Sequence, residues 1–141
     1  MEDCVILRRY YSMGKFVTPL RAEKLSERNW KLLEALIYRS DTLDDYILVP
    51  KGFVTNFASV PRLPFMYLLF GGVGDEAATL HDWLYSKEYS LDISRALADK
   101  VLRGVIVECL VKDGRARWKA VLIAYAMWAG VRLGGASHWK Q

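Results

Sequence analysis

The segment GDEAATLHDWLY, residues 74–85, carries a histidine and an aspartate side by side, and a further aspartate, Asp99, follows His81 after 18 positions. If both segments are helices and run antiparallel, Asp99 approaches His81, holds one ring nitrogen and raises the basicity of the other. Such a dyad can activate water as a general base. Two alternatives stay open: the pair is only a polar clamp between helices, or Asp99 pairs with Arg95 on the helix surface.

Two further side chains of this helix fit the same chemistry. On a helix Tyr85 shares a face with His81. Asp82 points about 100° away from His81, and its carboxylate could hold a hard cation. A zinc site or a disulfide framework is not indicated, because the two cysteines lie 105 positions apart and there are only two histidines. We interpret His138 as a tail residue.

The segment VPKGFVTNFASVPR, residues 49–62, is the second candidate region. Its polar side chains favour an irregular loop, because such side chains bond to nearby backbone. The functional interpretation is a cleft in which this loop faces His81; the alternative is a structural loop at a sheet edge. A nucleophilic serine is not indicated, because Ser59 lacks a G-x-S-x-G elbow. The candidate binding or cleft residues are Thr55, Asn56, Ser59, Arg62 and Arg95.

The elements that must position these residues follow from turn signals and periodicity. We predict strands near residues 15–20, 35–39 and 46–49, the last two joined in a hairpin by the acidic turn SDTLDD, with extended chain at 52–55. Helices are predicted over 76–85 directly after Asp75, from a cap at Ser90 or Asp92 to about Lys112, and from about 115 to 132. The third helix is apolar around most of its circumference, which predicts burial among neighbours. The fold class is α+β: a small antiparallel β-rich N-terminal half on about three C-terminal helices.

Length and composition limit the number of domains and the class of protein. The chain has 141 residues, of which 52% are hydrophobic and 26% charged, which is typical of one folded domain over 1–141 and excludes a disordered protein. Its longest uncharged apolar run, residues 120–131, is shorter than the roughly 20 residues that span a bilayer. The N-terminus does not resemble a signal peptide, so we expect no secretion by that route.

The net charge of +4 is not spread evenly. Residues 114–141 hold five basic residues and no acid, whereas residues 1–113 hold 15 basic and 16 acidic residues. Arg115, Arg117 and Lys119 lie at the start of the third helix, where cations oppose the helix dipole. They are either a solvated helix end or a contact with an anionic partner such as another subunit, phospholipid or nucleic acid. A clear nucleic-acid-binding surface is not indicated, because no broad basic stripe with interleaved aromatics is present.

These motifs together resemble a phage and prophage family known as domain of unknown function 1353. Its pattern is V-P-x-G-F-x-T-D-F-A-S-V-P-R, then A-A-x-x-H-D-x-L-Y, R-x-x-A-D and a late aromatic, arginine and Gly-Gly segment. Asn56 stands where the pattern has an acid, so a metal ligand at that position would be neutral here. The matching residues, between about Trp30 and the C-terminus, are Val49, Pro50, Gly52, Phe53, Thr55, Phe57, Ala58, Ser59, Val60, Pro61, Arg62, Ala77, Ala78, His81, Asp82, Leu84, Tyr85, Arg95, Ala98, Asp99, Tyr125, Arg132, Gly134 and Gly135.

The H-D-x-x-Y motif followed by A-D is also similar to the helix pair of secretory and parvoviral phospholipases of the A-two class. That similarity implies His81 as general base, Asp82 as calcium ligand, Asp99 as the residue that orients His81, and Tyr85 in support. It is a similarity of motif and not of fold, because the glycine-rich calcium loop of those enzymes is not matched upstream.

The resemblance to the phage family implies a virion-associated or morphogenesis protein of the tail, neck or baseplate, with other phage structural proteins as partners. Its location would be the virion or the cytoplasm of the bacterial host. The alternative is a hydrolase, with calcium as a candidate cofactor, that acts on phospholipid or cell wall during phage entry or lysis. The two functions differ in geometry: a hydrolase needs His81 accessible in a cleft with Asp99 in hydrogen-bond reach, whereas a purely structural role predicts that His81 is buried and satisfied.

Overall fold

The computed structural model describes residues 14–56 and 74–140. Within these two ranges six short strands precede three helices and a final 3-10 turn. The strands are β1 Lys15–Phe16, β2 Ala22–Lys24, β3 Trp30–Leu32, β4 Leu36–Ser40, β5 Asp45–Val49 and β6 Val54–Thr55. The helices are α1 Asp75–Tyr85, α2 Arg95–Lys112 and α3 Arg117–Gly134, and the 3-10 turn is Ala136–His138. The predicted α+β class is confirmed.

The strands form two small antiparallel sheets. One has the order β1-β4-β5 and the other β2-β3-β6. In the first sheet β4 and β5 form the predicted hairpin, with Leu36 opposite Val49 and Ser40 opposite Asp45. Alternate residues of β4 and β5 are buried, as expected for strands with one face on a core. Among the described strands β5 lies at one edge of its sheet.

The helix ends agree with the predictions in part. α1 ends at Tyr85 as predicted but begins one residue earlier than predicted, because Asp75 lies inside its first turn and Gly74 is the cap. That turn carries two acids where the helix dipole favours them. α2 ends at Lys112 as predicted, but the prediction of a cap at Ser90 or Asp92 is wrong. Its cap is Ser94, whose side-chain oxygen accepts a hydrogen bond from the backbone of Leu97 at 3.1 Å.

The core lies where α2 packs between α1 and α3 and where α1 meets the sheets. Its largest fully buried side chains include Leu80 and Leu84 of α1 and Leu102 and Ile106 of α2. Phe53, just before β6, meets the ring of Trp83 edge-on with centroids 5.1 Å apart. This contact joins the strand half of the chain to α1.

The prediction that α3 is buried around most of its circumference is wrong. Only Ala120, Ile123, Ala124, Met127 and Val131 are buried, and they form one face that packs on α2. An apolar sequence alone cannot give the number of packing partners, and here α3 has its main contact with one helix. Within the described ranges no helix has the length and apolar character that crossing a membrane requires.

Candidate functional site

The antiparallel approach of α1 and α2 brings His81 and Asp99 together. His81 Nε2 lies 3.1 Å from Asp99 Oδ1. Both side chains are buried, with 2% of His81 and none of Asp99 exposed. The alternative of an Arg95–Asp99 ion pair is also present, with the two groups 4.0 Å apart, but it is not a surface pair, since the carboxylate lies inside the helix packing. The dyad geometry expected from the 18-residue spacing is present.

Asp99 is the centre of a larger polar cluster. The Tyr85 hydroxyl donates to Asp99 Oδ1 at 2.5 Å, and Arg132 of α3 donates to Asp99 Oδ2 at 2.8 Å. Arg95 lies 4.0 Å from the same oxygen and donates to the backbone carbonyl of Arg132 at 3.4 Å. All three helices thus contribute to the environment of one buried carboxylate, whose oxygens are well satisfied.

The protonation state of the dyad follows from these contacts. Burial alone would raise the pKa of Asp99, but hydrogen bonds from His81, Tyr85 and Arg132 together hold that pKa below its ordinary value. An ionised Asp99 can only accept, so His81 Nε2 carries the proton. In the neutral ring Nδ1 is then the unprotonated nitrogen, which is the tautomer that a general base requires.

The second ring nitrogen of His81 is buried and has no hydrogen-bond partner among the described residues. Leaving a buried polar atom unsatisfied costs about 1–3 kcal/mol, so native proteins rarely do it without a role for the atom. Four other buried polar atoms, in Trp83, Tyr89, Glu108 and Trp128, also have no partner among the described residues. The burial of His81 is what a polar clamp predicts, and its open Nδ1 is what a general base requires.

Asp82 faces the strand half of the chain. The Thr55 hydroxyl of β6 donates to Asp82 Oδ2 at 2.5 Å, and the backbone of Asn56 also donates to this carboxylate. Burial raises the pKa of Asp82, although the hydrogen bond from Thr55 opposes that shift. Thr55 and Asn56 therefore lie beside the predicted site, at Asp82 rather than at His81.

The predicted calcium site fits poorly. Calcium takes six to eight oxygen ligands, whereas Asp82 is one carboxylate that Thr55 already engages. In residues 14–56 and 74–140 no three His, Cys, Asp or Glu side chains form a set that could hold a metal ion. No chemical step below is therefore assigned to a metal.

The segment after α3 packs on the cluster. The Trp139 ring meets the Tyr85 ring edge-on at 5.0 Å, and the backbone of Lys140 donates to the Tyr85 carbonyl at 2.8 Å. The ammonium of Lys140 reaches the carbonyl oxygens of Leu84, Ser86 and Tyr89 at 3.1–3.4 Å, near the C-terminal end of α1. Cations are favourable at this end of a helix.

Gly135 makes this close packing feasible. A Cβ added there would lie 2.7 Å from the carbonyl oxygen of Val131 and 2.9 Å from the Tyr85 hydroxyl. Both distances are too short for a real side chain, and the backbone carbonyl cannot move aside. A glycine at this position thus lets α3 end directly against Tyr85.

Two predicted cleft residues, Ser59 and Arg62, lie outside the described residues. Sequence reasoning missed the ion pair of Arg132 with Asp99 and the role of Lys140. Arg132 could have been found, because it is the one charged residue between Lys119 and Lys140 and stands in an apolar helix. No sequence signal pointed to Lys140, whose partners are more than 50 positions away.

The three basic residues predicted to contact an anionic partner, Arg115, Arg117 and Lys119, are all exposed at the start of α3. They precede Arg132 by about four to five helical turns. This basic group is therefore a separate surface and not a part of the Asp99 cluster.

Comparison with curated proteins and with solved structures finds no match. The sequence does match a family profile over residues 30–131, which covers β3 to most of α3 and includes all four residues of the His81, Tyr85, Asp99 and Asp82 set. The chain therefore belongs to the family described as "Protein of unknown function (DUF1353)".

Proposed function

We propose that this protein is a hydrolase in which His81, oriented by Asp99, is the general base. The observation that carries the proposal is the combination of a buried His81–Asp99 bond at 3.1 Å with a buried Nδ1 that has no partner among the described residues. The bonded nitrogen fixes the ring, and the second nitrogen is left to take a proton.

The chemistry follows from that tautomer. Nδ1 takes a proton from water while the water oxygen bonds to an ester or amide carbonyl carbon of the substrate. When the tetrahedral species collapses, the bond to the leaving oxygen or nitrogen breaks and the proton on Nδ1 passes to that leaving group. Asp99 stabilises the imidazolium that forms in between, and Tyr85 and Arg132 hold Asp99 in place as positioning residues.

The accessible His81 expected of a hydrolase is not what the structure has, so the mechanism requires that the site opens. Only 2% of the side chain is exposed, so a substrate has to displace whatever covers the ring. Enzymes that close over their substrates meet the same condition, and closure excludes bulk water from the reaction. A hydrolase of this kind is expected to show low activity on soluble substrates unless opening is fast.

The test is turnover by the purified chain of two substrate classes: phospholipid vesicles and peptidoglycan, each with calcium and with a chelator. We expect one substrate to be hydrolysed, and His81→Gln to lose about a hundredfold or more of that rate. His81→Gln keeps a donor near Asp99, and folding is checked by circular dichroism. Asp92→Asn, at an exposed acid of the same region, is the matched control.

Two results would refute the proposal. One is that the parent turns over neither substrate class. The other is that a folded His81→Gln variant is as active as the parent. A rate that survives the chelator unchanged would remove calcium from the mechanism and leave the dyad in place.

The structural role in a phage particle stays a prediction from the family resemblance. It is compatible with hydrolysis, because a virion part can carry an enzyme. Particles assembled without this protein test it: normal assembly with normal infection would remove the structural role, whereas loss of a tail, neck or baseplate part would support it.

A further inference from the structure

The exposed side of α3 is apolar along its whole length. Four of its large side chains are strongly exposed: Trp118 by 64%, Leu122 by 63%, Tyr125 by 49% and Leu133 by 89%. Exposed alanines complete the same side. We call the set the α3 outer face, and its members are Trp118, Leu122, Tyr125, Ala126, Ala129 and Leu133.

The spacing of these residues makes one continuous surface. At about 100° per residue they fall within an arc of about 100° of the helix, opposite the face that packs on α2. From Trp118 to Leu133 the surface is about 22 Å long at about 1.5 Å per residue. Soluble monomers rarely expose an apolar surface of this continuity without a partner for it.

The charges at the N-terminal end of the α3 outer face are mainly positive. Lys112, Arg115, Arg117 and Lys119 are exposed there beside one exposed acid, Asp113, and no acidic residue occurs from 114 to 141. Arg103 of α2 lies over the Tyr125 ring, 4.4 Å from its centroid. A complementary partner surface is therefore apolar where it meets the α3 outer face and anionic where it meets the basic residues at the start of α3.

We infer that the α3 outer face binds the surface of an anionic lipid bilayer, with α3 lying in the plane of the interface. Leucine side chains enter the acyl boundary, tryptophan and tyrosine lie at headgroup level, and the basic group meets lipid phosphates. A protein partner would also cover an apolar face, but four exposed basic residues against one acid over residues 112–119 favour a uniformly anionic surface.

This inference goes beyond the proposed hydrolase and does not depend on it. Vesicle binding is measured without turnover and is expected unchanged in His81→Gln. If the protein does not bind vesicles, the hydrolase proposal is still tested by the turnover assay. If it hydrolyses neither substrate, the lipid-binding inference is still tested by vesicle binding.

The experiment is co-sedimentation of the full chain with vesicles of phosphatidylcholine containing about one third phosphatidylglycerol, compared with pure phosphatidylcholine, at low and high salt. Binding is expected on the anionic vesicles and is weakened by salt. Leu122→Asp is expected to weaken it about tenfold or more, since it places a charge in the acyl boundary. Leu91→Asp, at a leucine that is 55% exposed elsewhere, is the matched control.

The contribution of the basic residues to vesicle binding is tested with two matched variants. Replacing Arg115, Arg117 and Lys119 together by alanine is expected to weaken binding about a hundredfold at low salt. Replacing exposed basic residues elsewhere by alanine changes the net charge equally and is expected to have a far smaller effect. That control set is Arg28, Lys51 and Lys87.

Three outcomes would overturn the inference. The first is equal binding to neutral and anionic vesicles, or no binding to either. The second is that Leu122→Asp binds no more weakly than Leu91→Asp. The third is that the parent sediments as a dimer or larger species in ultracentrifugation, that Leu122→Asp is a monomer, and that vesicles do not compete. The α3 outer face would then be a protein interface.

Discussion

Asp99→Asn removes the negative charge at the centre of the polar cluster and keeps the size of the side chain. Asparagine has the size of aspartate, so no cavity forms, but the amide offers one acceptor oxygen where the carboxylate offers two. Asp99 now accepts from His81 and Tyr85 on one oxygen and from Arg132 on the other. The amide oxygen can still accept on one side, whereas the amide NH₂ must then face another donor, Arg132.

The expected cost follows from that mismatch. Removing one partner of a buried charge pair typically costs about 3–5 kcal/mol. Asp99 has no exposed surface, which argues for the full effect, whereas Arg132 keeps 32% of its side chain exposed and can regain some hydration. We therefore expect Asp99→Asn to lower the free energy of unfolding by about 3 kcal/mol at pH 7.

The effect has a defined pH dependence. The pKa of Asp99 in the folded protein is below its ordinary value, so the unfolded chain binds this proton first as the pH falls. The stability that the ionised group contributes is fully present above about pH 4, its ordinary pKa range, and is lost as the pH falls through the folded pKa. The difference between parent and Asp99→Asn should therefore shrink below pH 4.

Urea unfolding at pH 7 and at several lower pH values measures this, with Asp92→Asn as the control at an exposed acid. We expect the control to change the free energy of unfolding by less than about 0.5 kcal/mol. The reasoning would be refuted if Asp99→Asn matched that control at pH 7, or if its deficit stayed constant as the pH fell below 4.

Two further predictions concern other buried polar contacts. Burial raises the pKa of Glu108 to about 7 although it bonds to the Phe16 backbone and to Tyr38, so the parent loses stability as pH rises from about 4 to 7. The free energy of unfolding of Glu108→Gln should therefore exceed that of the parent at pH 8, by up to about 3 kcal/mol. Below pH 4 the two free energies should be equal. A variant that is less stable than the parent at pH 8 would contradict this reasoning. Lys140→Met removes the ammonium from the end of α1 and should cost about 1–2 kcal/mol in urea unfolding, whereas exposed Lys87→Met should cost nothing measurable; equal effects would show that the contact contributes no stability.

The sequence predicted the elements well where local signals decide them. α1 begins after Gly74, which has a positive φ of 45°, and two acids follow in the first turn, so its start was visible. The hairpin of β4 and β5 follows from two β-rich runs around an acidic turn. The start of α2 was missed because Ser90, Asp92 and Ser94 are all good cap residues, and the choice among them depends on how the preceding loop packs.

The contact between the two central residues of the candidate site was predictable from the sequence, but their contacts with the other residues around them were not. The spacing of His81 and Asp99 on two antiparallel helices brings them together, and the structure has them bonded. The contacts of Asp99 with Arg132, and of Asp82 with Thr55, join positions 27 or more residues apart, so they depend on tertiary packing. The exposed side of α3 was missed for a similar reason, since composition does not reveal how many neighbours a helix has.

The position of β5 at a sheet edge bears on how this protein avoids aggregation. Its outward side chains include Tyr46 and Leu48, 59% and 52% exposed, and an apolar edge strand is a template for strands of other chains. The Asp45 carboxylate accepts the backbone N–H of Tyr46 at 2.7 Å, so one donor of the strand is already occupied. Pro50, directly after the strand, has no N–H to offer. These two residues act as gatekeepers at the ends of β5 and limit strand addition to the few residues between them.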